Sequence, residues 1–292
     1  MPDAFLDGQG AVRNGWKVLG HLAAVLGATF LAGLATRAAA GLVPGFQRVL
    51  PDPGVGALAV LGATWLCLHL EGASFASLGL RVRGAFLRDL VLGTLGGFAL
   101  MALVAAVVFA AGGFHWIRTP GMGLSGLLAG AWLYLAVACS EEILFRGYAF
   151  QRSVRGLGFT LAQLVFAALF ALGHWGNPGM AGATKAWATL NIALAAVLLA
   201  FCWRRTGSLA LPIGVHLGWN WTQGDLFGFG VSGTTNRGWW TPVFHGRPEW
   251  LTGGAFGLEA SFICTLACGL AILGLWRWKG SASAGASTAW GS

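Results

Sequence analysis

Ser140-Glu141-Glu142-Ile143-Leu144-Phe145-Arg146 places three charges inside a run over 123–150 that is otherwise apolar or small. The surrounding composition decides what that means. The chain has 292 residues, of which 56% are hydrophobic and only 10% charged, and its mean hydropathy is +0.69. A soluble domain carries about 25% charged residues. So little charge cannot cover a water-facing surface, and a bilayer is the solvent that fits. The 47 glycines suit close helix approach in a membrane. The 15 tryptophans suit the membrane–water interface.

Apolar spans are expected near 18–40, 55–72, 90–111, 123–150, 158–175, 186–203, 208–228 and 254–276. The reading is an all-α polytopic membrane protein of about eight transmembrane helices. Residues 1–279 form a single transmembrane domain without internal repeats, and 280–292 a flexible Gly/Ala/Ser-rich tail. The first apolar run follows a polar stretch and is long enough to span, so no cleavable signal peptide is expected. Gly72 to Arg88 reads as a basic amphipathic interfacial segment, and 230–253 as the longest loop.

The net charge of +8 does not indicate nucleic acid, because the basic residues sit in short loops rather than in one patch. They instead set orientation. With the N-terminus inside, Arg13, Lys17, Arg81, Arg83, Arg88, Arg146, Arg152, Arg155, Arg204, Arg205, Arg277 and Lys279 fall on the inner side. Arg37, Arg48, Arg118, Lys185, Arg237 and Arg247 fall on the outer side. That bias predicts a multi-pass protein of the cell membrane with both termini in the cytoplasm. The five cysteines lie mostly in apolar runs without a CxxC pair and read as small packing residues.

Ionisable residues within spans are costly and usually face a protein interior or a cavity. Asp89, Asp225, His21, His69 and Glu71 fall near span ends, where water is within reach; Glu259, near the start of the last span, is ambiguous. The run Ser140–Arg146, His174, His216 and Asn220 are not explained in that way. Adjacent glutamates on a helix point about 100° apart and cannot do the same work. Glu142 stands four residues before Arg146, the favoured ion-pair order, so it is expected to support the helix. Glu141 is then left free to act on something else. Glu141 lies 15 residues before Gly156 and His174 lies 16 after Gly158, so an antiparallel hairpin brings both to one depth. His216 lies nine residues past Gly207 on the same side, with Asn220 one turn further on the same face.

A carboxylate and an imidazole in a low-dielectric cavity suit water activation, and a second imidazole with an amide suits stabilisation of an oxyanion. Together they suffice for amide hydrolysis. Alternatively, Glu141, His174 and His216 could hold a divalent ion such as Zn²⁺. The HExxH motif of zincins is absent.

Glu141-Glu142-x-x-x-Arg146, Phe170-x-x-x-His174 and His216-x-x-x-Asn220 resemble the three motifs of the CPBP family, the CAAX-prenyl-protease-type, Rce1-like or Abi membrane proteins. Phe145-Arg146-Gly147-Tyr148 also resembles that family, and the resemblance covers about residues 122–228. It implies an eight-helix intramembrane endopeptidase with Glu141 as general base and His174 helping to hold the water. His216 and Asn220 would form the oxyanion site, with Glu142, Arg146 and Phe170 in support. It implies a peptide or protein substrate, lipidated or not, met in membrane lipid. It leaves both a glutamate-dependent and a metal-dependent mechanism open.

Other readings fit less well. Gly123-Leu124-Ser125-Gly126 resembles a rhomboid nucleophile sequence, yet it lies far from His174 and His216 along the spans. A proton-coupled transporter would also place Glu and His in the membrane but predicts internal repeats. A non-catalytic immunity or scaffold protein is the remaining alternative.

Overall fold

The structure is a computed structural model describing residues 4–42 and 53–281. Its helices are α1 (Asn14–Leu42), α2 (Pro53–Leu70), α3 (Gly84–Ala110), α4 (Leu124–Arg146), α5 (Tyr148–Leu157), α6 (Phe159–Gly173), α7 (Gly182–Thr206), α8 (Ala210–Trp221), α9 (Glu249–Thr252) and α10 (Phe262–Arg277). Five stretches are long and apolar enough to cross a membrane: α1, α2, α3, Leu124–Leu157 and α7. Helices α6 and α10 are shorter and apolar. This is a multi-pass, nearly all-α membrane protein. Its outward faces carry exposed Leu26, Phe30, Leu92, Leu95 and Leu270, a surface suited to lipid tails rather than to water.

Three features depart from the expected spans. The run over 123–150 is not one helix. It breaks at Gly147, where a β-carbon would lie 2.1 Å from the Ile143 carbonyl oxygen. The Gln151 side chain then donates to Arg146 O (3.0 Å) and Leu78 O (3.1 Å), satisfying a carbonyl that the break leaves without its helical partner. The last span begins at Phe262 rather than 254, because Gly253, Gly254 and Gly257 adopt positive φ and fold 254–260 into two 3₁₀ turns. Finally, part of the 230–253 loop is a strand. Phe114–Arg118 (β1) pairs antiparallel with Trp240–Phe244 (β2), Trp116 opposite Pro242. The Gly72–Arg88 segment holds a 3₁₀ turn at Phe75–Leu78, and Leu78 is fully buried. Of the expected tail, Gly280 and Ser281 are described, with Ser281 N–H bonded to Arg205 O (2.9 Å); residues 282–292 lie outside the described residues.

Glycine sets the tightest helix contact, between α3 and α8. Gly93 and Gly97 on α3 face Gly214 and Gly218 on α8, each pair spaced four apart. A β-carbon on Gly97 would lie 2.1 Å from Val215 O, and one on Gly218 would lie 2.0 Å from Thr94 O. The backbones therefore touch directly, as in small-xxx-small packing. This contact fixes α8, the helix that carries His216 and Asn220.

A second junction ties α1, α2 and α5 together. Glu71, just past α2, receives Lys17 (3.2 Å), the Tyr148 hydroxyl (2.5 Å) and the Arg152 guanidinium. Burial alone would raise its carboxyl, but hydrogen bonds from Arg152, Tyr148 and Lys17 bring it down to about 2. Nearby, His21 is fully buried rather than interfacial. Its Nε2 lies 3.0 Å from Thr64 Oγ1, and its ring stacks on Tyr148 at 5.1 Å. Asp225 is likewise buried, with Oδ2 unpartnered, instead of reaching water.

Candidate active site

Glu141 and Glu142 leave α4 in different directions and meet different surroundings. Glu142 is fully buried. Its Oε1 accepts from Arg146 Nη1 (3.0 Å) and from His216 Nδ1 (2.9 Å). Arg146 also donates to Ala196 O on α7 (3.0 Å), and its guanidinium lies over the Phe170 ring on α6 at 4.9 Å. Through one ion pair, α4 is thus tied to α6, α7 and α8. The i, i+4 spacing forecast the Arg146 pair; nothing local in the sequence forecast that Glu142 also holds His216 across 74 positions.

Glu141 faces a cavity of about 480 Å³ that His174, His216 and Asn220 also line. About 30% of its side chain is exposed, and its Oε2 lies 3.8 Å from His216 Nε2. That separation is too long for a direct hydrogen bond. Because Nδ1 of His216 donates to Glu142, its Nε2 is the nitrogen presented toward Glu141.

His174 ends α6. Its Nδ1 donates to Phe170 O (2.7 Å), which leaves Nε2 as the free ring nitrogen. Phe170 packs edge-on against Phe145 (4.9 Å) and at a tilt against the His174 ring (4.8 Å), so the second motif fixes the imidazole by packing as well as by hydrogen bonding. Asn220 lies one turn beyond His216 and is 8% exposed. Its amide makes no hydrogen bond among the described residues. All four residues expected to be catalytic therefore share one cavity, while Glu142 and Arg146 stand behind its wall. Ser125 is exposed at the start of α4 and does not line it.

The cavity also holds a residue that sequence reading left ambiguous. Glu259, on the 3₁₀ turn Leu258–Ala260, is 7% exposed and lines the same space. Its Oε1 accepts the Ser232 backbone N–H. The nearby glycines Gly253, Gly254 and Gly257 were the available signal, since they mark a turn rather than a helix start.

Among the described residues, no three His, Cys, Asp or Glu side chains gather closely enough to hold a metal ion. Glu141, His174 and His216 line one space but do not form such a cluster.

Residues 123–222 match the family model described as type II CAAX prenyl endopeptidase Rce1-like. The matched segment runs from the residue before α4 to just past α8 and holds Glu141, Glu142, Arg146, Phe170, His174, His216 and Asn220. The resemblance carried by the three motifs is thereby shown for this segment. No curated protein and no solved structure matches the chain.

Proposed function

We propose that this protein is an intramembrane endopeptidase in which Glu141 activates water against a peptide bond of a membrane-associated substrate. The Rce1-like match supports CAAX-type endopeptidase activity. The observation that carries the mechanistic reading is the division of labour within the glutamate pair. Glu142 is fully buried and does not line the cavity, with its Oε1 held by Arg146 and His216, whereas Glu141 faces the cavity with no direct hydrogen bond among the described residues and opposite His216 Nε2.

In this reading Glu141 takes a proton from water as the water oxygen bonds to the scissile carbonyl carbon. His174 Nε2 helps to hold that water. The carbonyl oxygen becomes an oxyanion and receives hydrogen bonds from the Asn220 amide and from Nε2–H of a doubly protonated His216, whose Nδ1–H stays on Glu142. As the C–N bond breaks, the proton on Glu141 passes to the leaving amine. Oxyanion donors of this kind contribute about 10²–10³ in rate. The apolar side of the cavity, with Leu144, Ile192, Leu198 and Leu199, suits an aliphatic or lipidated segment. The basic-residue bias orients both termini toward the cytoplasm of a cell membrane, with the site near that face.

The test is reconstitution of the purified protein in liposomes with prenylated and unprenylated peptide libraries, read by mass spectrometry for new termini. Cleavage at a defined bond is expected, with the prenylated arm deciding whether the lipid is needed. Absence of any cleavage, together with proton flux across the liposome, would replace this reading with a transporter.

A further inference from the structure

Glu259 lies outside the segment that matches the family model, yet its carboxylate lines the cavity that Glu141 occupies. Its surroundings are built with care for its charge. The Ser232 N–H that it accepts comes from a residue at φ 49, the one non-glycine positive φ among the described residues. L-residues adopt that conformation at a cost and keep it only where the surroundings impose it. Ser232 is held there from both sides. Asn177, three residues past His174, donates to Ser232 O (2.9 Å), and Gly233 N–H donates to Phe256 O (3.0 Å). The crossing is too close for side chains: a β-carbon on Gly257 would lie 2.0 Å from Gly230 O.

Every fixed donor to Glu259 is neutral. Among the described residues, no Lys or Arg forms an ion pair with it; the other side-chain donors acting on it are the Ser232 hydroxyl and Trp219, and the ionisable side chain acting on it through space is His174, whose Nδ1–H is held by Phe170 O. Glu141, by contrast, has the His216 ring opposite it at 3.8 Å. The site as a whole sets three carboxylates, Glu141, Glu142 and Glu259, against two cations, the Arg146 guanidinium on Glu142 and the doubly protonated His216 between Glu142 and Glu141, so Glu259 is the carboxylate left without one. Hydrogen bonds from neutral donors make a buried carboxylate tolerable but do not cancel its field, which is strong in a poorly solvated cavity.

We propose that Glu259 is a specificity-determining residue that receives a basic side chain, Lys or Arg, of the peptide substrate in the cavity where Glu141 acts. This rests on the reading of that cavity as a peptide-hydrolysing site. The missing counter-charge arrives with the substrate. Glu259 and Glu141 stand on different elements of the cavity, so the basic residue reads a substrate position beside the scissile bond rather than the bond itself.

The experiment compares matched membrane peptides carrying Lys or norleucine at each position around the cleavage site, with wild-type protein and Glu259→Gln. At one position the wild type is expected to favour Lys by about tenfold or more in kcat/KM, and Glu259→Gln to bring that ratio to within about twofold of one. Equal rates for the two peptides in the wild type would overturn the proposal. So would a Lys preference that survives in Glu259→Gln. Where either protein cleaves too slowly to score, binding of the same two peptides is measured by fluorescence anisotropy. Tighter binding of the Lys peptide to wild type than to Glu259→Gln supports the proposal, and equal binding overturns it. A wild type that binds with the Lys preference but never cleaves would overturn the endopeptidase reading and leave the cation site standing.

Discussion

His216 Nδ1 lies 2.9 Å from Glu142 Oε1, so the glutamate that pairs with Arg146 also fixes the imidazole facing Glu141. Glu142→Gln would leave Arg146 as an uncompensated charge at 2% exposure. Breaking a buried pair in this way costs about 3–5 kcal/mol. A clearly lower midpoint in thermal unfolding of detergent-purified protein is expected. Adding Arg146→Met should recover much of that stability but not activity, because His216 has still lost its carboxylate. A Glu142→Gln variant that melts with the wild type would contradict the assignment.

The α3–α8 contact gives a second prediction. A β-carbon on Gly218 would lie 2.0 Å from Thr94 O, whereas one on Gly96 would meet nothing within 4 Å. Gly218→Val should push α8 away from α3 and displace His216 and Asn220, lowering kcat by more than about tenfold, since displacements near 1 Å can cost about 10². Gly96→Ala should leave activity and melting unchanged. Equal effects of the two substitutions would show that the glycine pairs do not position the site.

What the sequence revealed and what it hid follow from the range of the forces involved. The Glu142–Arg146 pair was legible because its spacing is local and helical. The meeting of Glu141 with His174 followed from counting out from the Gly156–Gly158 turn, although Gly147 breaks the first helix of that count. The Glu142–His216 bond and the arrival of Glu259 in the cavity were not legible. Both depend on packing between distant elements, and the glycine-rich turn before α10 looked like the start of a span. His21 was misplaced for a related reason: its distance from a helix end says nothing about α2 and α5 closing over it.

Glu71 gives a pH prediction. Its carboxyl is held at about 2 in the fold, against an ordinary value of 4.5. A depressed carboxylate contributes stability that is fully present above the unfolded value and is lost as pH falls through the folded one. The wild type should therefore unfold at a higher temperature than Glu71→Gln at pH 7. That gap should narrow as pH falls from about 4.5 toward 2. A gap independent of pH over that range would assign the stability to packing rather than to charge.

Metal dependence has a direct check. Cleavage is expected to survive exhaustive chelation, with no stoichiometric metal in elemental analysis of the active protein. Loss of activity on chelation, restored by Zn²⁺, would instead bring Glu141, His174 and His216 together as ligands.

The most direct measurement is single-turnover cleavage by Glu141→Ala in liposomes, alongside its thermal unfolding. The side chain is about 30% exposed and makes no direct hydrogen bond among the described residues, so folding should be retained. Cleavage should fall to background while the melting midpoint stays within a few degrees of the wild type. Full cleavage by a folded Glu141→Ala protein would contradict the central claim.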